Sequence, residues 1–189
     1  MALFKSFNIP AWLLDKLQSN GYVKTTGIQE LVIPQALKGK SLVVRSETGS
    51  GKTHCFLVPM ISNIDENLNE LQGLILAPTK ELANQIHNFL SQLTDNTNIR
   101  IKLVSSTQNE EKSVKNVKSK PHIIVGTIGK LHDLFIDDSF ISIPIIFLKL
   151  FFSHNPIVPV PQYKSIRLFD FPAYSDALLY IFVIPSLFT

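Results

Sequence analysis

The sequence predicts an α/β domain with a mostly parallel sheet flanked by helices, incomplete at its C-terminal side. Two observations carry that expectation. From residue 10 to residue 135, segments with apolar residues at helical spacing alternate with short apolar runs, as βαβ units do. One such run, Val43-Val44-Arg45, passes through a glycine turn into a helix that opens at Lys52-Thr53. A third observation limits the domain: beyond residue 133 the chain changes character. Nine of its thirteen phenylalanines lie there, and no glutamate occurs after Glu111.

The elements follow in order. Residues 10–20 place Trp12, Leu13, Leu14 and Leu17 at helical spacing and stop before Gly21. A second helix is expected over 28–37, a short apolar strand over 41–45, and a helix with a bulky face over 51–62. GLILA at 73–77 reads as a buried strand. The helix over 79–93 opens on a Thr cap with Glu81 in its first turn. A strand over 99–104, a polar helix over 109–117, a strand over 122–126 and a short helix from Gly129 complete the series. In the tail, residues 143–148 are the candidate for a further buried strand. The expected division is 1–135 for the α/β domain and 136–189 for an apolar tail.

Composition narrows the function classes. A chain of 189 residues is one domain, or one plus a tail. With 45% hydrophobic residues it is not a disordered protein. The net charge of +3, split +4 before residue 134 and −1 after it, is too small to name a nucleic-acid partner by itself. The single cysteine, Cys55, excludes an intramolecular disulfide framework and a Cys-rich zinc site. His54, His87, His122, His132 and His154 lack ligand spacing and read as structural or surface residues. The start, MALFKSFNIP, has no secretory apolar core, and no apolar run reaches the roughly 18 residues of a membrane span. A cytoplasmic placement is expected, with a nuclear one as the alternative, and no membrane partner.

Ser46, Glu47, Thr48, Gly49, Ser50, Gly51, Lys52 and Thr53 form the sharpest motif. Gly49 and Gly51 let backbone N–H groups turn inward around phosphate oxygens, and the helix beginning at Lys52 points its positive end at them. Lys52 reaches the β- and γ-phosphates, and the Thr53 hydroxyl suits Mg²⁺. A phosphate loop alone does not separate a kinase from a helicase.

Its neighbours do. Phe4 with 21–29 (GYVKTTGIQ), the loop 46–53, Pro78-Thr79-Lys80-Glu81-Leu82-Ala83 with Gln85, and Thr127-Ile128-Gly129-Lys130 occur in this order. In that set the chain resembles the DEAD-box RNA helicases over roughly residues 4–135. The resemblance implies a RecA-like phosphate-loop domain that uses ATP and Mg²⁺. It makes Gln29 and Phe4 the adenine-recognising pair. The Gln29 amide donates and accepts at once, as an adenine edge requires, and Phe4 could stack on the base. It also makes Pro78, Thr79, Lys80, Thr127, Gly129 and Lys130 contacts to RNA backbone, sequence-independent. The lysines at 112, 115, 118 and 120 read as a solvated helix face, with an RNA-facing field as the alternative.

The family's acidic motif, Asp-Glu-Ala-Asp, does not occur. Where its strand is expected the chain reads Ile145-Ile146-Phe147-Leu148-Lys149, and the nearest imitation, Phe169-Asp170-Phe171, lacks the glutamate. The second RecA-like domain of the family has no counterpart here either. The expectation is therefore the ATP- and RNA-binding domain of an ATP-dependent RNA helicase, inactive in hydrolysis as this chain alone, with no catalytic residue assigned. The alternative is a non-catalytic ATP- and RNA-binding module that modulates a full-length helicase. A small phosphate-loop kinase ranks third, because no acceptor-binding aspartate or lid is visible.

Overall fold

The computed structural model describes residues 2–40, 42–47, 49–105, 110–136, 150–151, 158–159 and 180–183. Helices α1 (Ala11–Ser19) and α2 (Gly27–Leu37) precede strand β1 (Leu42–Val43). Then come α3 (Lys52–Ser62), β2 (Gly73–Ala77), α4 (Lys80–Leu93), β3 (Ile101–Val104), α5 (Glu110–Lys118), β4 (Ile123–Thr127) and α6 (Ile128–Ile136). The tail supplies three short strands, β5 (Leu150–Phe151), β6 (Val158–Pro159) and β7 (Tyr180–Val183). The sheet order is β3-β4-β2-β7-β5-β1-β6.

Strands β2, β3 and β4 pair in parallel, as expected when each is followed by a crossover helix. The tail departs from that rule: β7 runs antiparallel to β2 and β6 antiparallel to β1. Residues 143–148, the expected extra strand, lie outside the described residues.

The period-two alternation of buried strands divides the core. Ile75 and Ala77 of β2, with Ile123 and Val125 of β4, join Leu13, Leu17, Ile33, Phe56, Ile86 and Leu90 on the face covered by α1 to α4. Leu74, Leu76 and Ile124 face the other way, onto Val104, Val117, Leu131 and Leu134. Both faces of the central strands are therefore dry, which is why they read as continuous apolar runs rather than alternating ones.

Two polar buried groups set the loops opposite the strand C-termini. His122 accepts from the Arg100 N–H at Nδ1 (3.0 Å) and lies 2.9 Å from the Leu68 carbonyl at Nε2, so Nε2 carries the proton. Gln72 closes the loop before β2 through both amide atoms to the Asp65 backbone, at 2.9 and 2.7 Å. Gly126 is obligatory for packing: a Cβ there would lie 2.6 Å from the Val104 carbonyl and 2.6 Å from Leu131 Cδ1.

Candidate functional site

Three strand C-termini carry the motif residues. β1 feeds the phosphate loop, β2 feeds Pro78-Thr79-Lys80, and β4 feeds Thr127–Lys130. In the β2–β4 register Ala77 stands opposite Thr127. The second and third segments therefore emerge side by side at one sheet edge, about 4.8 Å apart from backbone to backbone.

The loop is built around left-handed glycines. Gly49 has φ +85° and Gly51 φ +88°, conformations that a side chain would strain. A Cβ at Gly51 would also overlap the Gln29 amide nitrogen. Gly51 caps α3, so the first free N–H groups of that helix face the loop interior. The Lys52 ammonium donates to the Ser46 carbonyl at 2.7 Å and to the Glu47 carbonyl. Partial burial lowers its pKa, against the opposing pull of Cys55 and Glu47. The Ser46 and Ser50 hydroxyls bond each other at 2.6 Å. Thr53 is half-buried in the first turn of α3, and Thr48 lies outside the described residues.

Gln29 is 4% exposed and sits at the third position of α2. Its Oε1 accepts from the Thr26 N–H at 2.9 Å, and its Nε2 donates to the Gly51 carbonyl at 3.0 Å. The Thr26 hydroxyl donates to the Ser50 carbonyl at 2.8 Å. Two adjacent loop carbonyls are thus held by the start of α2. Thr26 was not among the expected site residues. Its signal is the Thr-x-x-Gln spacing, a capping pattern placed so that both side chains also reach the loop. The glutamate beside it, Glu30, accepts from the Thr25 hydroxyl (2.9 Å) and the Ala2 N–H (2.5 Å), which pins the N-terminal residues over α2 and lowers the Glu30 pKa.

Phe4 is 1% exposed, with its ring edge-on to Phe7 (6.0 Å) and tilted against His54 (5.9 Å). Without a ligand, the Phe4 ring that the sequence reading placed against adenine is thus covered by Phe7 and His54.

Pro78, Thr79 and Lys80 are exposed. The Thr79 hydroxyl accepts from the Leu82 N–H at 3.2 Å and caps α4, and Lys80 Nζ lies 3.8 Å from Glu81 Oε1. Gly129 is exposed and nothing lies within 4 Å of where its Cβ would be. Thr127 and Lys130 are half-buried beside it. Lys118 and Lys120 do not join this face. They precede β4, whereas Thr127 ends it, so they sit at the opposite end of the sheet, about 16 Å away along the strand. Cys55 is buried behind the loop, and burial pushes its thiol up to about 12, which makes it inert. Among the described residues no three His, Cys, Asp or Glu side chains group as a metal site, and no helix is long and apolar enough to cross a membrane.

Comparison with known proteins gives the same assignment. Residues 26–148 match the family model of the DEAD/DEAH box helicases. The DEAD-box ATP-dependent RNA helicase CshB of Bacillus subtilis is 36% identical over 134 residues, covering 69% of this chain and 31% of that protein. The ATP-dependent RNA helicase CshA of Listeria monocytogenes is 36% identical over 133 residues, covering 70% of this chain and 26% of that protein. Among solved structures, a DEAD box protein from the hyperthermophile Methanococcus jannaschii superposes with TM-score 0.66 at 30% identity, over 73% of this chain and 38% of that one. The chain spans about a third of the length of these relatives. With a RecA-like sheet, a phosphate loop at one strand end and a family match across most of its described residues, this chain belongs to the DEAD/DEAH box helicases.

Proposed function

We propose that this chain binds an adenine nucleotide at residues 46–53 and an RNA backbone at the adjoining strand ends, as the ATP- and RNA-binding domain of an ATP-dependent RNA helicase. The observation that carries the reading is the link from Gln29 and Thr26 to the Gly51 and Ser50 carbonyls. It places an amide beside a phosphate loop in fixed orientation. One amide N–H and one oxygen lone pair remain after the bonds to Gly51 and Thr26, and these are the donor and acceptor an adenine edge needs.

The loop side chains supply the rest. Lys52 is already held at the loop mouth by two carbonyls, which a triphosphate would replace with anionic oxygens. The Thr53 hydroxyl makes no hydrogen bond to the described residues, so it is available to a hard cation held against the phosphates. Mg²⁺ there would neutralise phosphate charge. Pro78, Thr79, Lys80, Thr127, Gly129 and Lys130 offer a hydroxyl, helix N-termini and two ammonium groups along one edge, suited to phosphates and blind to base identity.

Binding of this kind is ground-state binding, and rate comes from groups that act in the transition state. The sequence holds no Asp-Glu-Ala-Asp, so these 189 residues are read as binding ATP without turning it over. Calorimetric titration with ADP and ATP tests the nucleotide part. Lys52→Ala is expected to weaken ATP binding at least tenfold, and Gln29→Ala to relax discrimination against GTP. Unchanged ATP affinity in Lys52→Ala would sink the assignment. Phosphate release that is RNA-stimulated and abolished by Lys52→Ala would show that a carboxylate such as Asp170 takes part in hydrolysis. The relatives named above are bacterial or archaeal proteins, which gives a nuclear placement no support.

A further inference from the structure

Behind the surface, one side chain that neither site uses lies between α3, which follows the phosphate loop, and α4, which opens on Thr79. His54 follows Thr53 in the first turn of α3, and its backbone N–H donates to the Gly51 carbonyl at 3.2 Å. Its imidazole is 7% exposed and lies among aromatic rings. The centroid is 4.3 Å from Tyr22 at 62°, and 4.7 Å from Phe89 at 85°. Tyr22 and Phe89 are themselves 5.6 Å apart. Nε2 is buried with no hydrogen-bond partner among the described residues.

A carbon ring would fill the same volume without burying a polar nitrogen, so packing alone does not account for histidine here. The perpendicular ring pair suits an imidazole N–H directed at an aromatic face, a contact that depends on orientation. Burial keeps the ring neutral, so one ring nitrogen carries a proton and the other does not. Both ends of the cluster lead to the binding segments. Tyr22 precedes Thr26 and Gln29. Phe89 belongs to α4, whose N-terminus carries Thr79 and Lys80.

We propose that His54 is a positioning residue that couples the phosphate loop to α4, so that nucleotide and RNA each change the affinity of the other within this one domain. The inference rests on the ATP and RNA reading given above. A shift in the first turn of α3 moves the imidazole, and close-packed rings pass the displacement to Phe89 and Tyr22 rather than absorbing it. α4, a regular helix of fourteen residues, carries it to Thr79.

The measurement is ADP affinity of the full chain, by calorimetry, with and without saturating oligouridylate RNA. The ratio of the two dissociation constants is the coupling, and linkage requires the same factor for RNA affinity with and without ADP. Wild type is expected to show a ratio of roughly fivefold or more. His54→Ala should bring the ratio to one, and so should His54→Phe, which keeps the ring volume but loses the imidazole N–H. Phe89→Leu should lose the coupling too, and it carries the test if His54→Ala does not fold. The double variant should lose no more than either single one. A merely structural histidine would lower the melting temperature and leave the ratio unchanged; that result overturns the proposal. So does a wild-type ratio of one with both ligands bound. If wild type binds neither ADP nor RNA, the ATP and RNA reading itself fails and this inference falls with it.

Discussion

His54 also gives the fold a pH dependence. Burial holds its pKa at about 4 against an ordinary value of 6.5, with Tyr22 the one titratable side chain among the rings facing it. Between those two values the unfolded chain binds a proton that the folded chain refuses. The stability from a neutral His54 is therefore complete above about pH 6.5 and is lost as pH falls toward 4. From pH 7 to pH 5 the loss is about 2 kcal/mol. Burial lowers the pKa of His87 and His122 as well, so they act in the same direction. Urea unfolding at the two pH values checks this: His54→Phe should flatten the dependence by about that amount, and an unchanged slope would assign it to the other histidines. Gln29 is the second residue with a measurable cost. Gln29→Ala removes the acceptor of the Thr26 N–H and one donor to the Gly51 carbonyl, which keeps the His54 N–H, a loss of about 1 kcal/mol before any ligand is considered.

Among the elements, β4 and α4 make opposite demands. β4 ends on Gly126-Thr127, where β3 and α6 approach too closely for a side chain. Gly126→Ala would press a methyl group against the Val104 carbonyl, a backbone atom that cannot turn aside. A fall in melting temperature of several degrees is expected, with the binding residues themselves untouched. α4 depends instead on its cap. Thr79→Ala removes the bond to the Leu82 N–H and is expected to cost about 1 kcal/mol of stability. It should also weaken RNA binding, while Thr79→Ser restores both. RNA affinity unaffected by Thr79→Ala would remove Thr79 from the backbone contacts.

Across the molecule, the segments proposed to bind nucleotide and RNA lie at one end of the sheet. The phosphate loop, Thr79, Lys80, Thr127 and Lys130 follow strand C-termini, while Arg100, Lys118 and Lys120 gather before β3 and β4. There Arg100 donates to the Lys120 carbonyl and to Asn69. Paired Lys80→Ala and Lys130→Ala substitutions should weaken RNA binding and flatten its salt dependence, since each phosphate contact contributes to the slope. Lys118→Ala with Lys120→Ala should change neither. Filter binding across a salt series separates the two ends. Equal losses from both pairs would mean that RNA extends around the α5 side.

The phosphate loop, the order of strands and helices, and the family resemblance were legible because each depends on local chemistry. Gly49 and Gly51 must adopt left-handed backbone, Thr79 must cap a helix, and a strand buried on both faces must be apolar throughout. Strand lengths were less legible: β1 covers only two residues of the expected five, because apolar character marks burial and not pairing. Tertiary structure alone decided the long-range partners. Gln29 reaches Gly51 across 22 residues, Phe4 lies covered by Phe7 and His54, and His54 meets Phe89 from a different helix. It also set the lysines at 118 and 120 at the opposite end of the strands from Thr79 and Thr127, since charge along a sequence carries no record of which end of a strand it precedes. The tail shows the same division. Its apolar composition allowed further strands but not their direction, and the pairing sets β6 and β7 antiparallel to their neighbours.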